Sequence, residues 1–299
     1  MKTMKHILLY LVLIAPLCFG ISPALAEPAA CEDPSPLRFG LIPRTNLAQQ
    51  MEDHRPLFTQ LEKTLGRKVV VVQGSSYGTV IEGLLAGTID LASMGPASYA
   101  LAKNRGPSIT AFMTWTMQGG HFIEPGSPTY NSLLIVREDS NLRDIGDLKG
   151  RNLSLTDPAS TSGVVIPRAE FSRALGKRLE EHFGRITYSG SHDRSIDALM
   201  KGYVDAAFVA SEHLENAVRA GVLKGNDVRV LWRSSPIPHD PFVYRGELCP
   251  ELREKIREAF LSDSPETRRM LTNLKAEHFV PITDEAFSYL QDILSQTRD

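Results

Sequence analysis

Three adjacent hydroxyl residues, Ser160, Thr161 and Ser162, are the part of this chain best suited to bind an anion. They follow a turn-forming Asp157-Pro158 pair and precede an apolar run, which predicts a helix beginning at the hydroxyls. The first backbone N–H groups of a helix have no partner within it and lie at the positive end of the helix dipole. An ordinary helix cap is the simpler interpretation, but three hydroxyls followed by Gly163 favour a bound anion.

Strands and helices alternate along the chain, which predicts an α/β protein with parallel-rich sheets. The first elements are predicted as a strand at 37–41, a helix at 53–65, a strand at 69–72, a helix at 80–86 and a strand at 89–92. The β-branched run at 69–72 is typical of a strand covered on both faces. Ligands in such proteins lie beyond the carboxyl ends of the strands, where the hydroxyl cluster is also placed.

Part of the sequence is repeated. Ile81-Glu-Gly-Leu-Leu-Ala-Gly-Thr-Ile-Asp90 resembles Ile196-Asp-Ala-Leu-Met-Lys-Gly-Tyr-Val-Asp205. Each copy predicts an amphipathic helix that ends at a glycine, followed by a short buried strand. Two such units indicate two similar lobes, although αβ units are common enough for a chance resemblance.

The ends and the charge of the chain limit its class. Lys2 and Lys5, an apolar run and a small-residue stretch ending at Ala26 predict a cleaved signal peptide over residues 1–26, and hence a periplasmic protein. Removing those two lysines from the 33 Lys and Arg, against 35 Asp and Glu, leaves a net charge near −4, with no basic run for nucleic acid. Cys31 and Cys249 remain, either as a disulfide or as free thiols.

Two segments are predicted to cross between the lobes, the first rich in Gly and Pro and the second containing Pro236 and Pro238. They lie near residues 119–131 and 232–240. The first lobe is therefore predicted to combine residues 36–118 with residues 236–299, and the second lobe to span residues 119–235.

The residues as a set resemble a known family, the periplasmic substrate-binding proteins of phosphonate, phosphite and phosphate-type ABC transporters. The segments that carry the resemblance are Phe39-Gly-Leu-Ile-Pro43, Tyr77 before the Ile81 helix, Asp147-Leu-Lys-Gly150, Asp157-Pro-Ala-Ser-Thr-Ser-Gly163, Ser191-His192-Asp193, Val204-Asp205 and Ile237-Pro-His-Asp-Pro241. They cover nearly the whole chain after residue 26 and occur in the family's order. The resemblance implies a type II, two-lobed periplasmic binding protein that closes on its ligand about a hinge.

The resemblance also implies which residues hold the ligand. Ser160, Thr161 and Ser162 match the family's turn that grips the phosphonate oxygens, and His192 and Tyr77 match its further contacts. As an imidazolium, His192 would add a charged hydrogen bond; as a surface residue, it would only cap a helix.

Three further residues are expected to determine which ligand binds. Glu212 and Asp240 match acids of the family's site, and Met94 stands where aminoalkylphosphonate binders have a Tyr. Near an anion, the Asp240 carboxylate would have to accept from a protonated ligand oxygen or an ammonium group, unless it only forms the turn before Pro241. The Met94 substitution weakens the match to 2-aminoethylphosphonate.

The resulting prediction is the solute-binding component of an ABC importer that binds a phosphorus oxyanion and works as a monomer with a membrane permease. A periplasmic sensor acting on a membrane kinase is the alternative. A hydrolase is disfavoured because no Gly-x-Ser-x-Gly, His-Glu-x-x-His or nucleotide-binding loop occurs. No cofactor or metal is expected.

Overall fold

The computed structural model describes residues 31–296, so the signal peptide predicted over residues 1–26 lies outside the described residues. Helices and strands alternate along the described part, as the sequence predicts. Within residues 31–296, we find no helix with the length and apolar character that crossing a bilayer requires.

The first of two lobes is built on a six-stranded mixed sheet. Across the sheet, its strands are β13 (Ala276–Pro281), β4 (Thr110–Met117), β12 (Phe242–Tyr244), β3 (Leu91–Ser93), β1 (Leu37–Leu41) and β2 (Val69–Gln73). Strands β2, β1 and β3 run parallel, whereas β12 runs antiparallel to both of its neighbours. The helices of this lobe are α1 (Leu47–Leu65), α2 (Tyr77–Leu85), α3 (Pro96–Arg105), α8 (Pro250–Leu261), α9 (Pro265–Leu274) and α10 (Ser288–Gln296), with a 3-10 turn at Asp284–Phe287.

The second lobe is built on a five-stranded mixed sheet. Across it lie β10 (Val228–Arg233), β6 (Ser132–Arg137), β9 (Ala206–Ala210), β7 (Asn152–Leu155) and β8 (Arg185–Tyr188). Strands β9, β7 and β8 are parallel, and β6 is antiparallel to β9 and β10. Its helices are two π-helical segments (Thr161–Val165 and Pro167–Phe171) leading into α4 (Ser172–Leu175), then α5 (Leu179–His182), α6 (His192–Met200) and α7 (Ser211–Arg219), with a 3-10 turn at Gly146–Leu148.

Two of the local predictions differ from the structure. The first helix begins at Leu47 rather than at residue 53, because the Asn46 side chain accepts hydrogen bonds from the N–H groups of Ala48 and Gln49. Strand β2 is at the edge of its sheet with Val70 46% exposed, so the prediction of a strand covered on both faces is wrong. A β-branched run favours the extended backbone whether or not it is covered.

The repeated sequence forms the same local structure twice. Helices α2 and α6 begin at Ser76 and Ser191, whose side chains cap the first turn. Each helix is followed by a glycine in the left-handed region, Gly87 at φ +69° and Gly202 at φ +73°. Each helix starts shortly after the carboxyl end of a parallel strand, β2 or β8, so the repeat places corresponding helix starts at the carboxyl edges of the two sheets.

The chain passes between the two sheets at a short ribbon. Strands β5 (Thr129–Tyr130) and β11 (Ile237–Pro238) pair there in antiparallel fashion. The first sheet takes its strands from residues 37–117 and 242–281, and the second from residues 132–233. The lobe boundaries and the hinge given by the sequence stay predictions.

A disulfide bond joins Cys31 to Cys249, which settles the alternative that the sequence left open. The backbone on either side is paired as well, since Glu32 N–H donates to the Glu247 carbonyl and Cys249 N–H donates to the Glu32 carbonyl. The start of the described chain is thereby fixed to the N-terminus of α8 in the first lobe.

Candidate functional site

Helix N-termini of the two lobes face each other across the cleft. The Tyr77 N–H at the start of α2 donates to the Asp157 carboxylate of the second lobe at 3.2 Å. At the start of α1, Thr45 Oγ1 and the Asn46 N–H both donate to the carboxylate of Asp193 in α6. Two carboxylates of one lobe therefore occupy positive helix ends of the other, so this interface is electrostatically suited to negative charge.

The predicted hydroxyl turn lies at this interface. Ser160 caps the helix by accepting from the Gly163 N–H at 3.2 Å, and Thr161 Oγ1 accepts from the Ala97 N–H of α3 at 2.8 Å. The Ser162 carbonyl accepts from Ser132 Oγ at 2.6 Å. The helical segment begins at Thr161 with Ser160 as its cap, so the prediction that the hydroxyls begin a helix is confirmed, and all three residues are at most 2% exposed.

The helix after this turn opens with π-helical geometry. The Val165 N–H reaches back to the Ser160 carbonyl at 3.0 Å, a spacing of five residues. Gly163 is needed inside this turn, because a Cβ there would lie 1.8 Å from Thr156 Oγ1. Such wide turns are frequent at functional sites, and this one holds the three hydroxyls against the first lobe.

Two buried tyrosines connect the hydroxyl turn to a group of charged residues. The Tyr77 phenol lies beside Ser160 and the Tyr130 phenol beside Thr161, and the Tyr130 ring packs on His239 at 5.5 Å between ring centres. Burial, reinforced by the negative charge of Asp240, raises the pKa of both phenols far above the usual value. Both hydroxyls therefore stay protonated and can act as neutral hydrogen-bond donors. Tyr130 was not among the residues predicted from the sequence.

The charged group centres on Arg44, another residue that the sequence prediction missed. Arg44 Nη1 lies 2.6 Å from Asp240 Oδ2 and 3.7 Å from Glu212 Oε1. His239 Nε2 lies 2.6 Å from Glu212 Oε2, while His239 Nδ1 accepts from the Asp240 N–H at 3.0 Å. Since Nδ1 accepts, the ring proton is on Nε2; this atom is close to Glu212 but makes no aligned hydrogen bond within residues 31–296.

The two acids of this group differ in their electrostatic surroundings. Burial disfavours ionisation of Glu212, but His239, His213 and Arg44 together hold its pKa well below the usual range. Burial raises the pKa of Asp240, an effect that Arg44 opposes and Glu212 reinforces. Glu212 is thus a fixed negative charge, and Asp240 is the acid of the pair that retains a proton more readily.

His192 is buried and neutral, so neither the imidazolium nor the surface cap considered from the sequence describes it. Its Nδ1 accepts from the Ala210 N–H at 3.2 Å, so the ring proton is on Nε2. Burial and the neighbouring His213, whose ring lies 4.5 Å away centre to centre, lower the pKa of His192 far below its usual value. His192 can donate one neutral hydrogen bond from Nε2.

Met94 forms part of the apolar wall of the site. It is fully buried, and it belongs to the same apolar cluster as Tyr77, Tyr130 and Ala159. Its N–H donates to the Pro241 carbonyl at 3.1 Å, which fixes the backbone beside Asp240. The thioether offers no strong hydrogen bond, so this wall adds shape rather than polar recognition.

A cavity of about 1080 Å³ lies between the lobes and is lined at its inner side by Arg44 and Glu212. Its lining also includes Gln50 Oε1, Asn216 Oδ1 and Arg219 Nη1, buried atoms that have no hydrogen-bond partner within residues 31–296. The hydroxyl turn is not part of this lining. Arg44 and Glu212 therefore face this larger cavity, whereas the three hydroxyl residues do not.

The structure brings the predicted residues together in two linked sets. One set consists of the hydroxyl turn with Tyr77 and Met94. The other contains Glu212 and Asp240, joined through Arg44, with His192 stacked on the His213 that lies 3.5 Å from Glu212. Within the described part of the chain, no cluster of His, Cys, Asp and Glu is arranged to hold a metal ion.

Comparison with known proteins gives consistent results. Residues 39–287 match the family described as "ABC transporter, phosphonate, periplasmic substrate-binding protein". The phosphate-import protein PhnD of Mycolicibacterium smegmatis is 28% identical, over 88% of this chain and 86% of its own. The phosphonates-binding periplasmic protein of Escherichia coli is 29% identical, over 86% and 75%. The solved structure of PhnD1 from Prochlorococcus marinus in complex with methylphosphonate superposes with a TM-score of 0.77 at 18% identity, covering 88% and 98% of the two chains.

Proposed function

Because the chain belongs to the periplasmic substrate-binding proteins of phosphonate ABC transporters, we propose that it binds a small phosphorus oxyanion between its lobes at the hydroxyl turn. The chain is the solute-binding component of an importer, its location is periplasmic, and family membership implies a permease as its partner. We propose that it acts as a monomer and that its signal peptide is removed on export.

The observation that carries this proposal is the inter-lobe contact of Thr161 with the N-terminus of α3. An oxyanion placed there would meet the Ser160, Thr161 and Ser162 hydroxyls from one lobe and Tyr77 from the other. Donors from both lobes make binding depend on closure, which is how a solute-binding protein presents a loaded form. These donors are uncharged, and neutral donors can hold an oxyanion without attracting every anion equally.

The environment of Asp240 supports a partly protonated ligand. Its Oδ2 pairs with Arg44, and burial raises its pKa. A ligand oxygen that carries a proton can donate to this carboxylate, whereas a fully ionised oxygen is repelled by it. Monoprotonated phosphite, phosphate and methylphosphonate all meet this condition.

We also propose that the protein does not catalyse a reaction. His192 uses Nδ1 to accept a backbone N–H, and among the described residues no serine or threonine hydroxyl donates to it. A nucleophile paired with a base, which a hydrolase requires, is therefore not assembled here. Turnover of a chromogenic phosphonate ester, lost on Ser162→Ala substitution, would contradict this statement.

Thermal unfolding against a panel of anions tests the function. The panel consists of phosphate, phosphite, methylphosphonate and sulfate, each well above its dissociation constant. A ligand at about 100 times that constant stabilises the folded state by about 2.7 kcal/mol, which raises the melting temperature by several degrees. We expect a shift with at least one phosphorus compound and none with sulfate; the absence of any shift with the phosphorus compounds would contradict the proposal.

A further inference from the structure

Arg44 places a positive charge between two buried carboxylates. It extends from the loop after β1, and its guanidinium nitrogen Nη1 contacts Asp240 at 2.6 Å and approaches Glu212 to 3.7 Å. Arg44 is 8% exposed and both acids are at most 5% exposed, so all three charges are largely removed from water. In such surroundings two acids require a nearby cation, and Arg44 provides it.

A second contact holds the Arg44 guanidinium in place. Its central carbon lies 5.7 Å from the centre of the Trp115 ring, within cation–π range. The Trp115 ring also packs on His239, at 4.5 Å between ring centres. Since Arg44 belongs to the first lobe and Glu212 to the second, the guanidinium meets the Glu212 carboxylate only where the lobes are together.

This charged group adjoins the hydroxyl turn. The His239 ring packs 5.5 Å from the ring of Tyr130, and the charges of Arg44 and Asp240 both act on the Tyr77 phenol, which lies beside Ser160. A ligand that seats its phosphorus group at Ser160 would therefore direct a short substituent toward the carboxylates. An ammonium group on that substituent would reach the place that the Arg44 guanidinium occupies.

Building on the proposed function, we propose that Arg44 is a specificity-determining residue that substitutes for a ligand ammonium group. It confines the ligands to phosphorus oxyanions with no substituent or with an uncharged one, and it disfavours aminoalkylphosphonates. A second cation beside Arg44 would be repelled by it and would find the two carboxylates already paired. Met94 contributes an apolar wall on the same side, which suits an uncharged substituent.

A matched pair of ligands tests this proposal by isothermal titration calorimetry. Propylphosphonate and 2-aminoethylphosphonate have the same number of heavy atoms and differ by a methyl group in place of an ammonium group. We expect the wild-type protein to bind propylphosphonate at least tenfold more tightly than 2-aminoethylphosphonate. Equal or tighter binding of the amine by the wild type would overturn the proposal.

Substitution of Arg44 should shift the preference toward the amine. In Arg44→Met the affinity ratio should move at least tenfold toward 2-aminoethylphosphonate, because its ammonium group gains two free carboxylates. If the single variant does not fold, the double variant Arg44→Met with Glu212→Gln replaces it in the test. This variant retains Asp240 and the net charge of the group, and its affinity ratio should change in the same direction. A ratio that stays unchanged in the folded variant would overturn the proposal.

Arg38→Met is the matched control. Arg38 also pairs with a fully buried acid, Asp90, at 2.8 Å, but it does so within the first lobe and away from the cleft. This variant should keep the wild-type ratio, and a change like that of Arg44→Met would overturn the proposal. Binding of phosphite or methylphosphonate separates the two hypotheses. If the wild type binds one of them without the expected ratio, only the Arg44 inference fails; if it binds no phosphorus compound, the proposed function fails and the inference fails with it.

Discussion

Replacing Thr161 by Val should weaken ligand binding by a predictable amount. The substitution keeps the size and the branching of the side chain and removes only its hydroxyl group. In the structure that oxygen accepts from the Ala97 N–H at 2.8 Å, across the two lobes, and the Tyr130 phenol lies beside it. Both partners are buried, so neither can turn to water while the lobes are together.

The magnitude follows from the loss of these partners. A buried polar group left without its hydrogen bond costs about 1–3 kcal/mol. The cost applies only to the closed form, because water reaches the Ala97 N–H when the lobes separate. Ligand binding must then supply this free energy, so the dissociation constant should rise by about 5- to 150-fold.

Isothermal titration calorimetry with methylphosphonate measures the change directly. Thr267→Val is the matched control, because Thr267 is also buried and hydrogen-bonded, to Ser262 and Ser264, but it lies in α9 away from the cleft. It should lower the melting temperature and leave the affinity unchanged. If Thr161→Val bound methylphosphonate as tightly as the wild type, the hydroxyl turn would not be part of the site.

Three further predictions concern acid, the lobe contact and the disulfide. Burial and the charge of Arg44 lower the pKa of His54 to about 3, so the unfolded chain takes up the proton first as pH falls below about 6.5. Between about pH 7.5 and pH 5, His54 should contribute a loss of about 2 kcal/mol to the free energy of unfolding measured in urea. The buried, neutral His192 adds to the same slope, so His54→Gln should remove only the share of about 2 kcal/mol that His54 contributes. Asp193→Asn removes a negative charge from its contact with the N-terminal end of α1. Because Asp193 is part-exposed, methylphosphonate affinity measured by calorimetry should fall by only about two- to fivefold. Reduction of the Cys31–Cys249 bond should lower the free energy of unfolding measured in urea by about 2–5 kcal/mol. It should leave methylphosphonate affinity unchanged, since the bond lies within the first lobe.

Much of the fold could be predicted because local patterns and tertiary structure agree. The repeated helix, which ends at Gly87 in one copy and at Gly202 in the other, appears twice as predicted. At both ends the backbone is left-handed, a conformation that glycine adopts without strain. The start of α1 was placed too late, since its cap at Asn46 precedes any apolar periodicity. Whether β2 lies at the edge of its sheet depends on the order of the strands, which cannot be read from the sequence of one strand.

The hydroxyl turn could be predicted because three neighbours along the chain form it. Arg44 and His239 could not, because their roles depend on partners in other elements of the fold: Arg44 pairs with Asp240, 196 positions away, and His239 faces Glu212 at the start of α7. An Arg in a loop after a strand is usually solvated, and nothing local distinguishes one that is 8% exposed. The one available signal was position, since Arg44 follows β1 at the edge where ligands bind.

The neutral state of His192 was not predictable either. The sequence shows a His at the start of a helix, where a charged ring is unfavourable, but it does not show the His213 ring stacked on it. Burial of both rings decides the charge state, and burial is a tertiary property.

A crystal structure of the protein with bound methylphosphonate tests the central claim most directly. The account predicts that the phosphonate oxygens lie within hydrogen-bond distance of the Ser160, Thr161 and Ser162 hydroxyls, with both lobes in contact with the ligand. A phosphonate group found instead in the inter-lobe cavity beside Gln50 and Asn216, with the hydroxyl turn unliganded, would contradict it.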